Sequence, residues 1–329
     1  MADESGEVDP FSGVSEEFSF FKDIYRDKIL PELSLREADR VSAADRARKF
    51  TFYGIGAGIV LAIAGFAIFK SPIGAFLGLI AGGALREFGR QPLKKLSKEA
   101  KLMIVEPVTH GLGLDYELEP VFPDSISAMR KLDLVSSWDR SSFEDRLTGQ
   151  REGTDFEFYE AHLERKETTT DSKGRSRTRW VTVFRGQCLV VDFHKRFYGQ
   201  TKVLRDAGIF NFMKGLGSKL ERVRLEDPRF EKAFEVLSND QVEARFLLTP
   251  DFMESLLDLE RAFDGGKLRC AFSEDRMLLC VEGENLFEPG SMFTPLTNPS
   301  RVNVLLRDFA AVFHLIDVVA ERRAAEPER

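Results

Sequence analysis

FTFYGIGAGIVLAIAGFAIFKSPIGAFLGLIAGGAL, residues 50–85, decides how this chain is read. Two apolar runs are separated only by Lys70-Ser71-Pro72. The first, Phe50 to Phe69, carries no charge over twenty residues. As a helix it reaches about 30 Å, a bilayer's hydrocarbon core. The second, Pro72 to Leu85, holds fourteen residues. It reaches about 21 Å, short of a span unless the bilayer thins or the helix continues through Arg86 to Phe88 with Arg86 snorkelling. Small residues recur at every fourth position, as Gly54, Gly58 and Ala62 and again as Gly74, Gly78 and Gly82. That spacing strips one helix face of bulk, so two backbones can approach closely in lipid. Residues 50–88 therefore predict a two-helix transmembrane hairpin. A buried hairpin of a soluble protein is the alternative, but core helices usually keep a polar edge.

The flanks orient the hairpin. Arg36, Arg40, Arg46, Arg48 and Lys49 precede it, Arg86, Arg90, Lys94, Lys95, Lys98 and Lys101 follow, and the connection offers only Lys70. Basic residues near span ends stay on the cytoplasmic side, which places both termini and the main domain there. Met1 to Asp9 is acidic and does not read as a secretory leader. Ser71-Pro72 suits the start of a second helix.

The remaining chain divides by composition into an acidic disordered tail (1–14), a cytoplasmic helical segment (15–49), a cytoplasmic domain (89–321) and a disordered tail (322–329). The helical segment carries Phe18, Phe21, Tyr25, Ile29 and Leu33 at helical spacing, interrupted by Pro31. Pro92 to His110 reads as a separate helix stopped by Gly111. A short helix is expected within Asp124 to Lys131. Asp155 to Glu167 and Trp180 to Phe193 read as a long antiparallel strand pair joined by a polar, flexible stretch, Thr168 to Thr178. Asp227-Pro228, Asp240 and Thr249-Pro250 open helical elements, the last running to about Phe263. A second hairpin pairs Leu268 to Phe272 with Met277 to Glu282, and a last helix starts near Asn298-Pro299. Strands grouped in hairpins, with helices elsewhere, predict an α+β domain of antiparallel β-hairpins packed with helices.

Three segments carry a family resemblance. They are Phe184-Arg185-Gly186-Gln187 with Val191-Asp192-Phe193 and Phe197-Tyr198-Gly199, then Leu225 to Val236, then Asp240 to Pro250. With the hairpin, they resemble the bacterial family catalogued as domain of unknown function 3137, over about Phe18 to Phe293. The resemblance implies a membrane protein of the bacterial inner membrane with a cytoplasmic α+β domain. It brings no established activity and no catalytic residues.

The chemistry of the sequence is mostly negative. A net charge of −7 and a pI near 5.4 argue against a nucleic-acid binder. Gly215-Leu216-Gly217-Ser218-Lys219 is too short for a phosphate loop. His110, His162, His194 and His314 are dispersed, so no metal, cofactor or catalytic residue is singled out, although His162 and His194 could meet on paired strands. The three cysteines form no disulfide framework. Cys270 and Cys280 sit on the two arms of the second hairpin, where they could face each other, and read as small buried side chains. The 29 phenylalanines, against 5 tyrosines and 2 tryptophans, are scattered and read as core filling.

Two stretches have functional content. Lys173, Arg175, Arg177 and Arg179 form a basic loop suited to anionic lipid headgroups, against the alternative of a solvated hairpin tip. Ile209 to Gly217 places apolar residues beside glycines, as an interfacial foot or as core. The reading is of a membrane-anchored binding or scaffold protein, held in the bilayer by residues 50–88, with a protein partner whose identity the sequence does not name. The alternatives are a membrane-associated enzyme without a linear motif and a Gly-zipper homo-oligomer.

Overall fold

The computed structural model describes residues 19–170, 174–192, 196–205, 220–263, 266–298 and 300–324. The stretch Ile209 to Gly217 lies outside them. The first apolar run does not form a helix of its own. Helix α1 (Ser19–Ile24), a π-helical turn (Tyr25–Ile29) and α2 (Leu30–Phe69) follow one another without a break. Pro31 does not interrupt this segment as its sequence position predicts, because it sits in the first turn of α2. Its missing N–H costs little there, and the preceding turn is widened so that the Leu30 N–H donates to the Tyr25 carbonyl. Lys70 then adopts a left-handed φ of 47°, and α3 (Pro72–Gly111) begins. The helix expected to start at Pro92 is the second half of α3, with Pro92 and Pro107 in its interior.

Helices α2 and α3 each contain 40 residues and run about 60 Å. Beyond the glycine-rich part, the contact continues as an ordinary apolar stripe of Ala43, Ala44 and Ala47 on α2 and Leu93, Leu96, Ala100 and Ile104 on α3, all buried. This seam explains why neither helix breaks where the apolar runs end. Among the described residues, one helical stretch, Phe20–Phe69, is long and apolar enough to cross a membrane. The sequence reading expected two spans; the second run, in α3, does not reach that length.

The chain divides into two units, Met1–Gly111 with Phe287–Asp308, and Leu112–Leu286 with Phe309–Arg329. In the first, Glu37 and Arg40 fasten the segment after Phe287 onto α2. Arg40 donates to the Glu37 carboxylate at 2.6 Å and to the Met292 carbonyl at 3.1 Å, while Glu37 accepts from the Leu296 N–H at 2.9 Å. Arg301, buried, donates to the carbonyls of Pro289, Ser291, Thr294 and Pro295. A guanidinium has five N–H donors, and here they satisfy carbonyls that no regular structure would serve.

The second unit is built on an antiparallel sheet. Its nine strands, among the described residues, are β1 (Asp115–Glu117), β2 (Arg140–Arg151), β3 (Thr154–Thr170), β4 (Ser176–Asp192), β5 (Thr201–Arg205), β6 (Glu221–Val223), β7 (Phe234–Ser238), β8 (Leu268–Ser273) and β9 (Arg276–Glu282). The order is β1-β2-β3-β4-β9-β8-β5-β7-β6, so the two hairpins read from sequence join edge to edge through β4 and β9. On one face α4 (Ser125–Lys131) packs Ile126 and Met129 against Tyr159, Phe184, Cys188, Ala271 and Cys280. On the other, α7 (Pro250–Ala262) brings Phe252 to 6.1 Å from Phe272. Ala271 and Phe272 serve opposite layers because successive strand residues alternate.

The short helices start where the sequence placed them. Asp227 caps α5 (Pro228–Ala233), Asp240 caps α6 (Gln241–Leu247) and Thr249 caps α7, each accepting from N–H groups of the first turn. The last helix, α8, spans Ser300–Ala324. In the second unit, Asp317 of α8 accepts from Arg151 at 2.5 and 2.7 Å, and Arg151 lies 4.2 Å over the Phe313 ring. The structure is thus mixed α+β, a long N-terminal helix with a large antiparallel sheet.

Candidate functional site

The glycines of the hairpin occupy the line of contact between α2 and α3. A Cβ built on Gly54 would fall 2.6 Å from the Gly82 carbonyl oxygen, and one on Gly82 would reach the Gly58 Cα at 2.6 Å. One on Gly78 would run into the backbone of Leu61 and Ala62, and Gly74 faces Gly65 in the same way. Two participants escaped the sequence reading. Gly65 lies seven residues after Gly58, and Gly89, whose Cβ would meet the Phe50 ring, falls outside the apolar run. A seven-residue spacing would have found Gly65. A Cβ on Gly56 or Gly83 would meet nothing within 4 Å, so both face away from the partner helix.

Large apolar side chains take the outside. Ile55, Ile59, Ile63, Phe66, Phe76 and Leu79 are exposed, and only 11% of the most apolar window of the first helix is buried. At the open end of this band Phe50 and Phe88 stand 6.0 Å apart, with the Arg46 guanidinium 5.3 Å and 5.4 Å from their ring centres. Phe52 and Tyr53 extend the same collar. Aromatic rings under cations are the usual furniture of a membrane–water boundary.

In the second unit, the motif Phe184-Arg185-Gly186-Gln187 organises the chain that leaves β9. Gly186 has φ +152°, and a side chain there would run into the Val281 carbonyl. Gln187, fully buried, donates to the Glu284 carbonyl at 2.7 Å, and Arg185 donates to Asn285 Oδ1 at 3.1 Å. The Gly283 N–H returns to the Arg185 carbonyl at 3.1 Å. Glu144 and Glu160 complete the strap from neighbouring strands, taking Asn285 Nδ2 at 3.1 Å and the Leu286 N–H at 2.5 Å. An open groove of about 660 Å³ lies beside it, bordered by Phe184, Arg185, Phe263, Lys267 and Glu282. Its charges are matched, since Glu282 pairs with Lys267 and Arg269, and Arg185 with Glu284.

The polar stretch between the long strands is more ordered than its composition suggested. Strand pairing continues through Thr168↔Thr178, Thr169↔Arg177 and Thr170↔Ser176, with hydroxyl contacts of 3.1 and 2.9 Å at the first and last pairs. Threonine favours strands, and opposed hydroxyls reinforce the register. Of the four basic residues singled out there, Lys173 lies outside the described residues. Arg179 is bonded to Glu167 at 3.2 Å, and Glu167 also accepts from Arg165 at 3.1 Å. These two guanidiniums hold the Glu167 carboxyl below the usual range. Arg177 is exposed opposite Thr169, and Arg175 is exposed just before β4.

The facing of Cys270 and Cys280 that the sequence suggested does not form. Cys270 pairs with Leu279 and Arg269 with Cys280, because the Ser273↔Arg276 register puts Cys270 and Cys280 on opposite faces. Cys280 instead stands opposite Cys188 across β4 and β9. Burial pushes the Cys188 thiol well above its ordinary pKa. His162 pairs in register with Arg185 and contacts Thr182 Oγ1 at 3.0 Å, and His194 lies outside the described residues.

Residues 182–320, from β4 through the strap to α8, match the family model described as Protein of unknown function (DUF3137). These residues form a DUF3137 domain. The match starts much later than Phe18 and runs past Phe293, so in the DUF3137 domain the motif at 184–187 marks the beginning. No curated protein matches the chain. Among solved structures, the crystal structure of the mycobacterial trehalose monomycolate transport factor A, TtfA, is similar over 70% of this chain and 98% of its own, with 11% identity and a TM-score of 0.33.

Proposed function

We propose that this chain is a membrane-anchored binding protein of the bacterial inner membrane. Residues 50–88 enter the bilayer as a helical hairpin with both ends on the cytoplasmic side, and the sheet-bearing unit works there by binding a protein or the membrane surface. One observation carries the reading: the polarity of the hairpin is inverted relative to a soluble one. Glycines fill the contact between α2 and α3, and isoleucine, leucine and phenylalanine cover the outside. In water each such exposed side chain forgoes about 1.5–3 kcal/mol of burial, whereas in lipid the same arrangement is at no disadvantage and close backbone packing holds the helices. The aromatic collar at Phe50 and Phe88 and the basic flanks support the cytoplasmic placement of the open end.

The test is retention. The full chain should stay with membranes through an alkaline wash and leave only with detergent. Ile59→Arg combined with Ile80→Arg, which puts two charges into the band at about 2.5–3.5 kcal/mol each, should release it or prevent its accumulation. A wild-type chain washed off by carbonate, or a double variant retained as firmly as the wild type, removes the anchor.

A homo-oligomer is favoured by one separate feature. Gly56 and Gly83 leave open backbone on the outside of the hairpin, where another copy can approach.

A further inference from the structure

At one end of the sheet, the second unit gathers cations and apolar side chains that nothing above accounts for. The two tryptophans of the chain are both there, each under an arginine: Arg130 lies 5.5 Å from the Trp138 ring centre and Arg140 lies 4.2 Å from that of Trp180. They are contiguous, since the Asp139 N–H between Trp138 and Arg140 donates to the Glu164 carbonyl and Asp139 in turn accepts from the Lys166 N–H at 2.7 Å. Lys166 is the register partner of Trp180.

Three large apolar residues are exposed at this end, Val121 (92%), Phe122 (47%) and Trp180 (42%). Among the described residues of the unit, the other two exposed large apolar residues, Tyr198 and Val242, lie apart beside Glu243, to which Tyr198 donates its N–H. A cleft of about 470 Å³ opens between Phe122, Ser127, Arg130, Lys131 and Trp138. Among the described residues, Arg130, Lys131, Lys166 and Arg177 make no salt bridge. These four cations share one end of the unit in a chain of net charge −7, and together with the exposed apolar residues beside them they call for an anionic partner.

We propose that this end docks on an anionic lipid surface, with a headgroup phosphate in the cleft between Arg130, Lys131 and Trp138. Charge complementarity and the form of the apolar groups select the occupant. Tryptophan prefers the headgroup level, where its ring is apolar and its N–H stays wet. Val121 and Phe122, on a loop between Pro120 and Pro123, are placed to enter the acyl boundary. Cations at such a surface act together and weaken with salt. The inference deepens the binding reading above by naming the surface and its partner, and it uses Arg177 of the basic loop while shifting the centre of contact to α4 and the start of β2.

The tryptophans are native reporters. The full chain is reconstituted in nanodiscs of phosphatidylcholine, with or without phosphatidylglycerol, each containing acyl-brominated lipid. It is also mixed with preformed vesicles of both compositions, which reads docking whether or not the hairpin inserts. Tryptophan emission should be quenched and blue-shifted with the anionic lipid and much less with the neutral one. The quenching should fade as salt rises and be lost in Arg130→Ala/Lys131→Ala. Trp180→Phe should retain it through Trp138. Quenching that is equal in both lipids, or untouched by the double substitution, overturns the proposal. So does unquenched emission from protein that has entered the disc, a result that leaves the anchor standing and gives the patch to an acidic protein. Quenching by anionic vesicles from protein that fails to enter any disc keeps the docking and removes the anchor.

Discussion

Gly65 and Gly74 exclude each other's side chains: a Cβ on either would run into the carbonyl of the other. The relationship is between two backbones, so no rotamer change relieves it. Gly58 differs, because its Cβ would meet the Gly82 Cα at 3.4 Å, an ordinary contact. Gly78→Ala and Gly74→Ala should therefore lower the thermal midpoint in detergent, at an overpacking cost of about 1–3 kcal/mol, and Gly58→Ala should be tolerated. Gly56→Leu and Gly83→Leu should leave the monomer's midpoint unchanged. Equal midpoints for Gly58→Ala and Gly78→Ala would mean that the helices are not in this register.

The arrangement of basic residues gives a topological expectation. Reporter fusions at Met1 and at Arg329 should both signal from the cytoplasm, because the charged flanks sit on the same side of the hairpin. An external signal from either end rules out the hairpin and leaves a single crossing by α2.

Asp308 makes stability pH-dependent. Burial pushes its carboxyl from 3.8 up to about 6, against the hydrogen bond from the Phe287 N–H, which pulls the other way. The native state thus holds the proton more tightly than the unfolded chain. Its contribution favours folding at low pH, declines as pH rises from about 4 to about 6, and stays low above that. A shift of about two units sets a ceiling of about 3 kcal/mol; partial exposure brings the expected change to about 1–2 kcal/mol. Denaturation midpoints of Asp308→Asn should be flatter than wild type across this window. Parallel curves would show that Asp308 is not the group responsible.

The cysteines should be silent in the folded protein. Cys188, Cys270 and Cys280 are fully buried, and burial raises the pKa of Cys188 and Cys270, which suppresses the reactive thiolate. Maleimide labelling of the native chain should be negligible and should reach all three sites after denaturation. Rapid native labelling at any of them would contradict the packing of the sheet.

The strap depends on a missing side chain. At Gly186 even a methyl group would run into the Val281 carbonyl on the adjacent strand. Gly186→Ala should destabilise the DUF3137 domain by about 1–3 kcal/mol, while Thr182→Ala, on the exposed part of β4, should cost little. Matched melting curves for the two variants would deprive the motif of its structural role.

Features that depend on neighbours along the chain were legible before folding. Apolar length marked the long helix that ends at Phe69, Asp227, Asp240 and Thr249 located three helix starts, and long alternating runs located β3, β4, β8 and β9. Each is a local signal, carried by helix periodicity, a capping side chain or a two-residue strand repeat. Features that depend on distant partners came into view with the folded chain. Strands β1, β5 and β6 have three to five residues and no readable period, and they exist because neighbours supply their hydrogen bonds. The continuity of α2 and α3 past the apolar runs comes from a seam shared by two helices, which neither sequence stretch displays alone. Register chose Cys188 rather than Cys270 as the neighbour of Cys280, since a one-residue offset turns a strand side chain to the opposite face. The basic and aromatic end of the sheet was equally hidden: Arg130, Trp138, Arg140 and Trp180 come from a helix, a loop and two strands, and only folding brings their side chains together.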